Sequence, residues 1–589
     1  MCGIAGIMTA DGAAPSPISL EVMQAALAHR GPDGSGHYRG HDVAMVQTRL
    51  AIIDLATGDQ PLFEPGGAAL VANGEIYNYI ELRAQLAGTV FSTSSDCEPP
   101  LHLYRRHGLD FTEHLRGMYA IALHDPAVGR LVLARDPFGI KPLYYVETPT
   151  RFAFASEPQA LIAAGLVPAQ LVRQVRNELL QLQFTTGRET IFAGIHRLLP
   201  GETVVVARGR IVERRRRDAL PLAPPEPREE ADAVGQFDRV FAGSVLIHQR
   251  SDVAYGMFLS GGIDSSAVLA MMARLNEQPV KAFTAGFSTG LVHDEREHAR
   301  TVARTLGAEH IEVEFREADF WRLLPEIAHA MDDPAADYAL LPTFKLAAAA
   351  RSAGLKVILS GEGGDELFAG YGRYRSVARP WWLGGKLLRA RGNFDKLGIL
   401  RGNLAGWRDG IAAAELRAAS GGRTRLQAAQ VTDCSDWLPN DLLSKLDRCL
   451  MAHGVEGRTP FLDPAVAAFA FRLPDELKVR GGLGKWVLRR WLAEHVPAAK
   501  PLAKKRGFTV PVSDWIERRG AQLGPLVARQ AGIREICLPN TVEALFRDAH
   551  RRHAGFAAWT LLFYALWHLQ HIERRQAGPD VFATLGASA

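Results

Sequence analysis

The sequence predicts two domains of different class: an α+β domain of packed, largely antiparallel sheets, then an α/β domain on a parallel sheet. Three observations predict this. Up to about Arg210 the chain is a series of short β-prone runs separated by turn formers. Beyond Val253, strand patterns alternate with helix patterns. Between them the composition changes abruptly, from "ERRRR" (Glu213 to Arg217) to the proline- and acid-rich "PLAPPEPREEAD". A chain of 589 residues also exceeds one ordinary hydrophobic core. The expected division is residues 2–212, a solvated linker at 213–230, a second domain at 231–576 and a mobile tail at 577–589.

Composition excludes several classes. Hydrophobic residues make up 47% and charged residues 22%, the proportions of a globular protein. No apolar run reaches the ~20 residues that span a bilayer, and no basic segment followed by an apolar one opens the chain. The most apolar stretch, "AAWTLLFYALWHL", is short and carries His568, which reads as a buried helix. A net charge of +4 is mild for this length and argues against a nucleic-acid partner. Five scattered cysteines show no metal-ligand spacing and suit a reducing cytoplasm.

In the first domain the β-prone runs are "DVAMVQTRLAII", "AALVANGEIYN", "GMYAIALHD", "RLVLARD" and "RFAFASE", with a helix at "SLEVMQAALAHR" and a serine at its N-cap. The chain opens "MCGIAGIM". Removal of Met1 would give Cys2 a thiol and an α-amine on one residue. An unperturbed amine titrates near ~7.8, so it can act as base beside its own nucleophile. In "VANGEIYN", the Asn73 amide and the Gly74 N–H offer an oxyanion hole, a contribution of ~3–4 kcal/mol. Arg49 suits the α-carboxylate of an amino-acid zwitterion, and Glu75 and Asp96 its α-ammonium. The segments "MCGIAGI", "HRGPDGSG", "RLAIIDL", "NGEIYN" and "SSDCE" resemble the class II glutamine amidotransferase domain, an N-terminal nucleophile hydrolase with an αββα sandwich. The resemblance implies that Cys2 attacks the side-chain amide of glutamine, releases ammonia and is cleared as a glutamyl thioester, with Ile53 among the glutamine contacts.

In the second domain, "DVAYGMFLSGGIDSSAVLAMMARL" reads as strand, glycine loop and helix. Gly261 and Gly262 let backbone amides reach an anion, the helix N-terminus adds a positive dipole end, and Ser260 and Ser265 add hydroxyls. The spacing is not that of a Walker loop. "VKAFTAGF", "HIEVEF" and "KVILS" are further strands. "SGEGGDELFAGYGRY" follows the last of these, so both loops should meet at the carboxyl ends of a parallel sheet. Asp264 and Asp365 are the expected ligands of Mg2+ beside the phosphates. "SGGIDS" resembles the pyrophosphate loop of enzymes that split ATP into AMP and pyrophosphate.

"GVEGRTPFLD", "GLGKWVLRRWL" and "KKRGF" extend the likeness, with Arg458, Asp463 and Lys485 at matching positions, which implies that Lys485 places positive charge where negative charge develops. Over most of its length the chain resembles glutamine-hydrolysing asparagine synthetases. That likeness implies formation of asparagine, glutamate, AMP and pyrophosphate from aspartate, glutamine and ATP. It also implies a role for Glu362 in forming the β-aspartyl-adenylate, and nucleotide contacts at Leu259, Ala285, Ser360 and Gly361. An apolar path for ammonia at the domain interface and a possible homodimer are further expectations. Three places depart from the family pattern. Pro99–Pro100 and Pro158 should shift local helices. "MDDPAADYALLPTF", with Asp333, Pro334 and Asp337, is the version found in relatives that include amidating enzymes with other acceptors. A peptide, a sugar acid or a secondary metabolite therefore stands as the alternative acceptor, with an amide-forming cyclase or a non-catalytic relic behind it.

Overall fold

The opening strand, Cys2–Thr9, is apolar on both faces because both faces are covered. Ile4 and Met8 join one core cluster, and Ala5 and Ile7 another. The computed structural model describes residues 2–287, 294–379, 382, 384–504 and 509–587. In spatial order the first sheet is β10 (His196–Arg197), β8 (Tyr144–Thr148), β9 (Arg151–Ala155), β1 (Cys2–Thr9), β3 (Val43–Arg49) and β2 (Gly34–Arg39). The second is β12 (Arg210–Arg216), β11 (Glu202–Ala207), β7 (Arg130–Arg135), β6 (Met118–Asp125), β5 (Ala69–Glu75) and β4 (Leu62–Phe63). Every pairing in both is antiparallel. Ile4, Met45, Val71, Ala122, Leu133 and Val204 fill the space between the sheets. The helix Pro17–Ala26 packs on the outside of the first sheet, and the helix Pro99–His107 on the outside of the second. The domain is the αββα sandwich that the sequence resemblance implied.

The second domain carries a five-stranded parallel sheet in the order β15 (Glu309–Glu314), β14 (Lys281–Gly286), β13 (Tyr255–Phe258), β16 (Val357–Leu359) and β17 (Glu456–Arg458). β13 and β16 are neighbours, so "SGGIDS" and "SGEGGDE" leave adjacent strand ends on one edge of the sheet.

Three expectations are corrected: the start of the linker, the cap of the first helix and the tail. "ERRRR" is not linker: Glu213–Arg216 belong to the edge strand β12, so the first fold runs past residue 212. Its charges are accommodated because an edge strand has free sides. Arg214 donates to Glu202 (3.2 Å) and to the Tyr145 hydroxyl (2.9 Å), and Arg215 to Asp110 (2.8 Å). The first helix is capped by Ser16, one residue before Pro17, and not by Ser19. Pro99–Pro100 and Pro158 each open a helix, in the first turn where the missing N–H has no partner to lose. The tail is not a loose strand of chain: Val581–Gly586 is a helix capped by Asp580, with Val581 and Leu585 buried in the core. The apolar stretch near His568 is the helix Arg552–His571, and among the described residues no helix is long and apolar enough to cross a membrane.

The domains meet across buried charge. Fully buried Arg30 donates from Nη1 to Glu157 (2.7 Å) and from both terminal nitrogens to Asp447 (2.9 and 3.1 Å). Arg448 Nη1 lies 3.5 Å from the same Glu157, while its Nε reaches Asp332 within the second domain at 2.9 Å. Arg197 holds Asp333 by two bonds of 2.7 and 2.6 Å, and the Tyr144 hydroxyl adds a third at 2.9 Å. Arg116 grips Asp463 by two bonds of 2.7 and 2.9 Å. An apolar part lies beside them, in which Leu50, Met118 and Ile140 share one cluster with Leu259, Leu359 and Phe461. Substituting Asp447→Ala leaves Arg30 with a single acid and should cost ~3–5 kcal/mol, read as a lower midpoint in urea denaturation. A midpoint unchanged within error would show that the pairing carries no weight.

Candidate active sites

At the first site, strand register places Cys2 opposite Arg49. The Cys2 backbone N–H donates to Asn73 Oδ1 at 3.1 Å, and Gln47 Nε2 donates to Cys2 Sγ at 2.9 Å. Burial pushes the thiol pKa up. Asn73 Nδ2 is buried with no hydrogen-bond partner, so the residue that holds the Cys2 nitrogen keeps an open amide donor. Gly74 faces Tyr119, whose backbone groups are both taken by Asp136, which leaves the Gly74 N–H outside that ladder. Only glycine fits there: a Cβ would lie 2.6 Å from Tyr119 Cα and closer still to the Met118 carbonyl. Arg49 donates to Asp59 (2.6 Å) and to the carbonyls of Asp54 (2.6 Å) and Ile53 (3.4 Å). Asp96 accepts from the Ile76 N–H at 2.7 Å, and burial lifts its pKa to about 6. Burial, then Asp96 and Glu456, raise Glu75 well above the usual carboxylate range. Glu75 also lies 3.5 Å from Arg458 Nη2, a contact between the domains.

The second site is a cavity of about 770 Å³ over the carboxyl ends of the parallel strands. Its wall brings together Leu259, Ser260, Gly261, Gly262, Asp264, Ser265, Ala285, Ser360, Gly361, Glu362, Asp365 and Lys485. The loop is closed on itself: Ser260 Oγ and Ser265 Oγ are 3.1 Å apart, and the Gly262 N–H donates to Ser260 Oγ at 3.2 Å. Lys485 Nζ pairs with Asp264 and, at 2.7 Å, with Asp365. Burial opposes its charge, but the two acids outweigh burial and its pKa is raised. Lys485 has a left-handed backbone (φ 59°), strain concentrated at a charged cavity residue. Asp264 and Asp365 converge on one point as all-oxygen ligands, which fits a hard divalent cation sharing them with Lys485. Among the described residues no group of three or more His, Cys, Asp or Glu could hold a metal. Glu366, pushed up to about 8 by burial and then by Asp365, accepts the Tyr371 hydroxyl at 2.7 Å on the same wall.

Two matched residues lie elsewhere. Arg458 donates to the carbonyls of His248 (2.9 Å) and Arg250 (2.7 Å) and to Glu456 (2.6 Å), and Asp463 caps the helix Pro464–Arg472 while pairing with Arg116. Both serve the domain interface. Of "KKRGF", residues 505–508 lie outside the described residues, and Lys504 lines the cavity. Sequence reading missed Gln47, Arg30 and Lys445. Gln47 was legible, since it sits two residues before Arg49 on one strand and so shares its face. Arg30, which donates to the Cys2 carbonyl at 3.2 Å, had no local signal.

Both domains match known families. Residues 236–570 match the asparagine synthase family and residues 1–216 the glutamine amidotransferase domain. A Mycobacterium tuberculosis protein with the provisional name of glutamine-hydrolyzing asparagine synthetase is 34% identical, over 97% of this chain and 98% of its own. Asparagine synthetase [glutamine-hydrolyzing] 1 of Bacillus subtilis is 30% identical, over 98% of each chain. Amidase chry2 of Gibberella zeae is 33% identical, over 64% of this chain and 61% of its own.

The two cavity loops interlock through glycine. A Cβ on Gly361 would lie 2.9 Å from Asp264 Cβ and 3.0 Å from the Ser265 nitrogen. Gly361→Ala should therefore weaken ATP binding, measured by calorimetry, by at least about tenfold. Unchanged affinity would show that the loops need no such close approach.

Proposed function

Because the chain belongs to the glutamine-hydrolysing asparagine synthetase family and is a glutamine-dependent amide-forming ligase, we propose that it makes asparagine from aspartate, glutamine and ATP. The observation that carries this reading is the pairing of two sites across one buried interface. One holds the Cys2 thiol on Gln47 and the Cys2 nitrogen on Asn73, and the other holds two acids on one lysine beside a glycine loop.

With Cys2 as the first residue, its α-amine takes the thiol proton and the sulfur attacks the side-chain amide carbon of glutamine. Asn73 Nδ2 and the Gly74 N–H stabilise the oxyanion, and the tetrahedral adduct takes the α-ammonium's proton on its amide nitrogen and expels ammonia. Water then cleaves the thioester to release glutamate. Arg49 receives the α-carboxylate. Asp59, which now occupies that guanidinium, is 82% exposed on its side chain and can yield to substrate. Asp96, beside Glu75, receives the α-ammonium.

In the cavity, an oxygen of the aspartate β-carboxylate attacks the α-phosphorus of ATP and pyrophosphate leaves. Ammonia adds to the acyl carbon and AMP departs with the bonding pair. The Ser260–Ser265 loop holds the phosphates, and Lys485 meets the charge that develops on them. Asp264 and Asp365 would hold Mg2+, which supplies charge neutralisation on the phosphate oxygens.

Cys2→Ala should abolish glutamine-dependent synthesis while ammonia-dependent synthesis continues, and loss of both would refute the division of labour. Asp264→Asn should stop pyrophosphate release while glutamine hydrolysis persists. The mass of the product formed from aspartate decides the acceptor. The pH dependence follows from Asp96. Below about 6 it takes a proton and loses the charge that binds the α-ammonium. The KM for glutamine should then rise by about tenfold per unit further down, and Asp96→Asn should flatten that rise.

A further inference from the structure

Lys445 is a buried cation in the cavity that none of the steps above uses. It sits at the start of the helix Ser444–Met451, on the same wall as Glu362. Its Nζ lies 2.8 Å from Asp337 Oδ2 and 3.9 Å from Glu362 Oε1. Burial opposes its charge, but Asp337, Glu362 and Asp441 outweigh burial and keep it protonated. Among the described residues the cavity wall includes Lys445 and Glu362 but not Asp337. Asp337 thus takes one ammonium hydrogen from outside the cavity wall, to which Lys445 and Glu362 themselves belong. Ala339 and Pro342 give that end an apolar flank.

We propose that Lys445 and Glu362 form the acceptor subsite and read the α-amino-acid end of the acceptor. Lys445 takes the carboxylate that does not react, and Glu362 takes the ammonium beside it. This rests on the reading that the second site activates a carboxylate with ATP. A cation alone would accept any diacid. A cation with an acid alongside selects a molecule carrying both charges on one carbon, because an acceptor lacking the ammonium brings its carboxylate against Glu362 unscreened. A sugar acid or a simple diacid fits this end poorly. The signal was not legible in sequence because Asp337 and Lys445 are 108 residues apart.

The test measures acceptor-dependent pyrophosphate release with ATP and three probes: aspartate, β-alanine (aspartate without its α-carboxylate) and succinate (aspartate without its ammonium). The proteins are the full-length wild type, Lys445→Met, and Lys445→Met combined with Asp337→Asn. The double variant removes the buried acid together with its cation, so it decides the matter if the single variant melts early. The wild type should prefer aspartate to each analogue by at least about tenfold in kcat/KM. In the variants the KM for aspartate should rise until the preference over β-alanine is nearly gone, while β-alanine itself changes less than about twofold. A wild type that does not discriminate, or a preference unchanged in both variants, overturns the subsite. A wild type that releases pyrophosphate with none of the three, yet does so with another carboxylate, overturns the aspartate reading itself, and the subsite falls with it.

Discussion

The structure depends on one interaction, the salt bridge from Arg30 to Asp447 across the domain interface. Arg30 has no exposed surface, and its three nitrogens are divided between Asp447, Glu157 and the carbonyl of Cys2. It hydrogen-bonds both the nucleophile's backbone and Asp447, on the helix bearing Lys445. Around it, Arg30, Lys141, Arg197 and Arg448 face Glu157, Asp332, Asp333 and Asp447, and all eight are buried. Such a set adds little net stability, because desolvation consumes most of the attraction. Its effect is on specificity. A shift of one domain against the other would strand charges that cannot reach water, so only one docking is tolerated.

The same arithmetic explains what the sequence disclosed. The two glycine loops were legible because each is a local device in which strand end, turn and helix start lie within about ten residues. Cys2, Asn73 and Arg49 were legible from their chemistry, and strand register then gave them their neighbours. The interface pairs were not legible. Arg30 and Asp447 are 417 residues apart, and Arg116 and Asp463 are 347 apart. Either member, taken singly, is an ordinary charge. "ERRRR" misled for a related reason. Its length in charge outweighed its alternation, and only pairing with β11 shows that Arg214 and Arg216 belong to a strand. The tail misled because Val581 and Leu585 are too few to show a period, yet both are buried.

The helix Ser444–Met451 ties the sites together. Lys445 and Asp447 are two positions apart and so lie on nearly opposite faces of it, since successive residues turn by ~100°. One face serves the cavity and the other meets Arg30. The acceptor end and the nucleophile's backbone are thus held from the two sides of one rigid element about 10 Å thick. A displacement of the helix that moved Lys445 would also move Asp447.

This placement changes what an ammonia path requires. An apolar lining would keep ammonia neutral by denying it a proton, but charge also lies along this interface. The relevant property is then whether that charge can trade protons. Burial works against the charge on Arg30 and Arg448, but their acid partners outweigh it and both hold their protons more tightly than a free guanidinium. Burial likewise favours neutral Glu157 and Asp447, but their cationic partners prevail and hold them ionised. Near neutral pH neither group gives up a proton or takes one. Those four ion-paired groups are as inert toward ammonia as a hydrocarbon wall and also fix the geometry of the two domains. In the same set, by contrast, burial lifts Asp332 to about 6 and lowers Lys141, so proton exchange along this interface is confined to members whose partners do not outweigh burial.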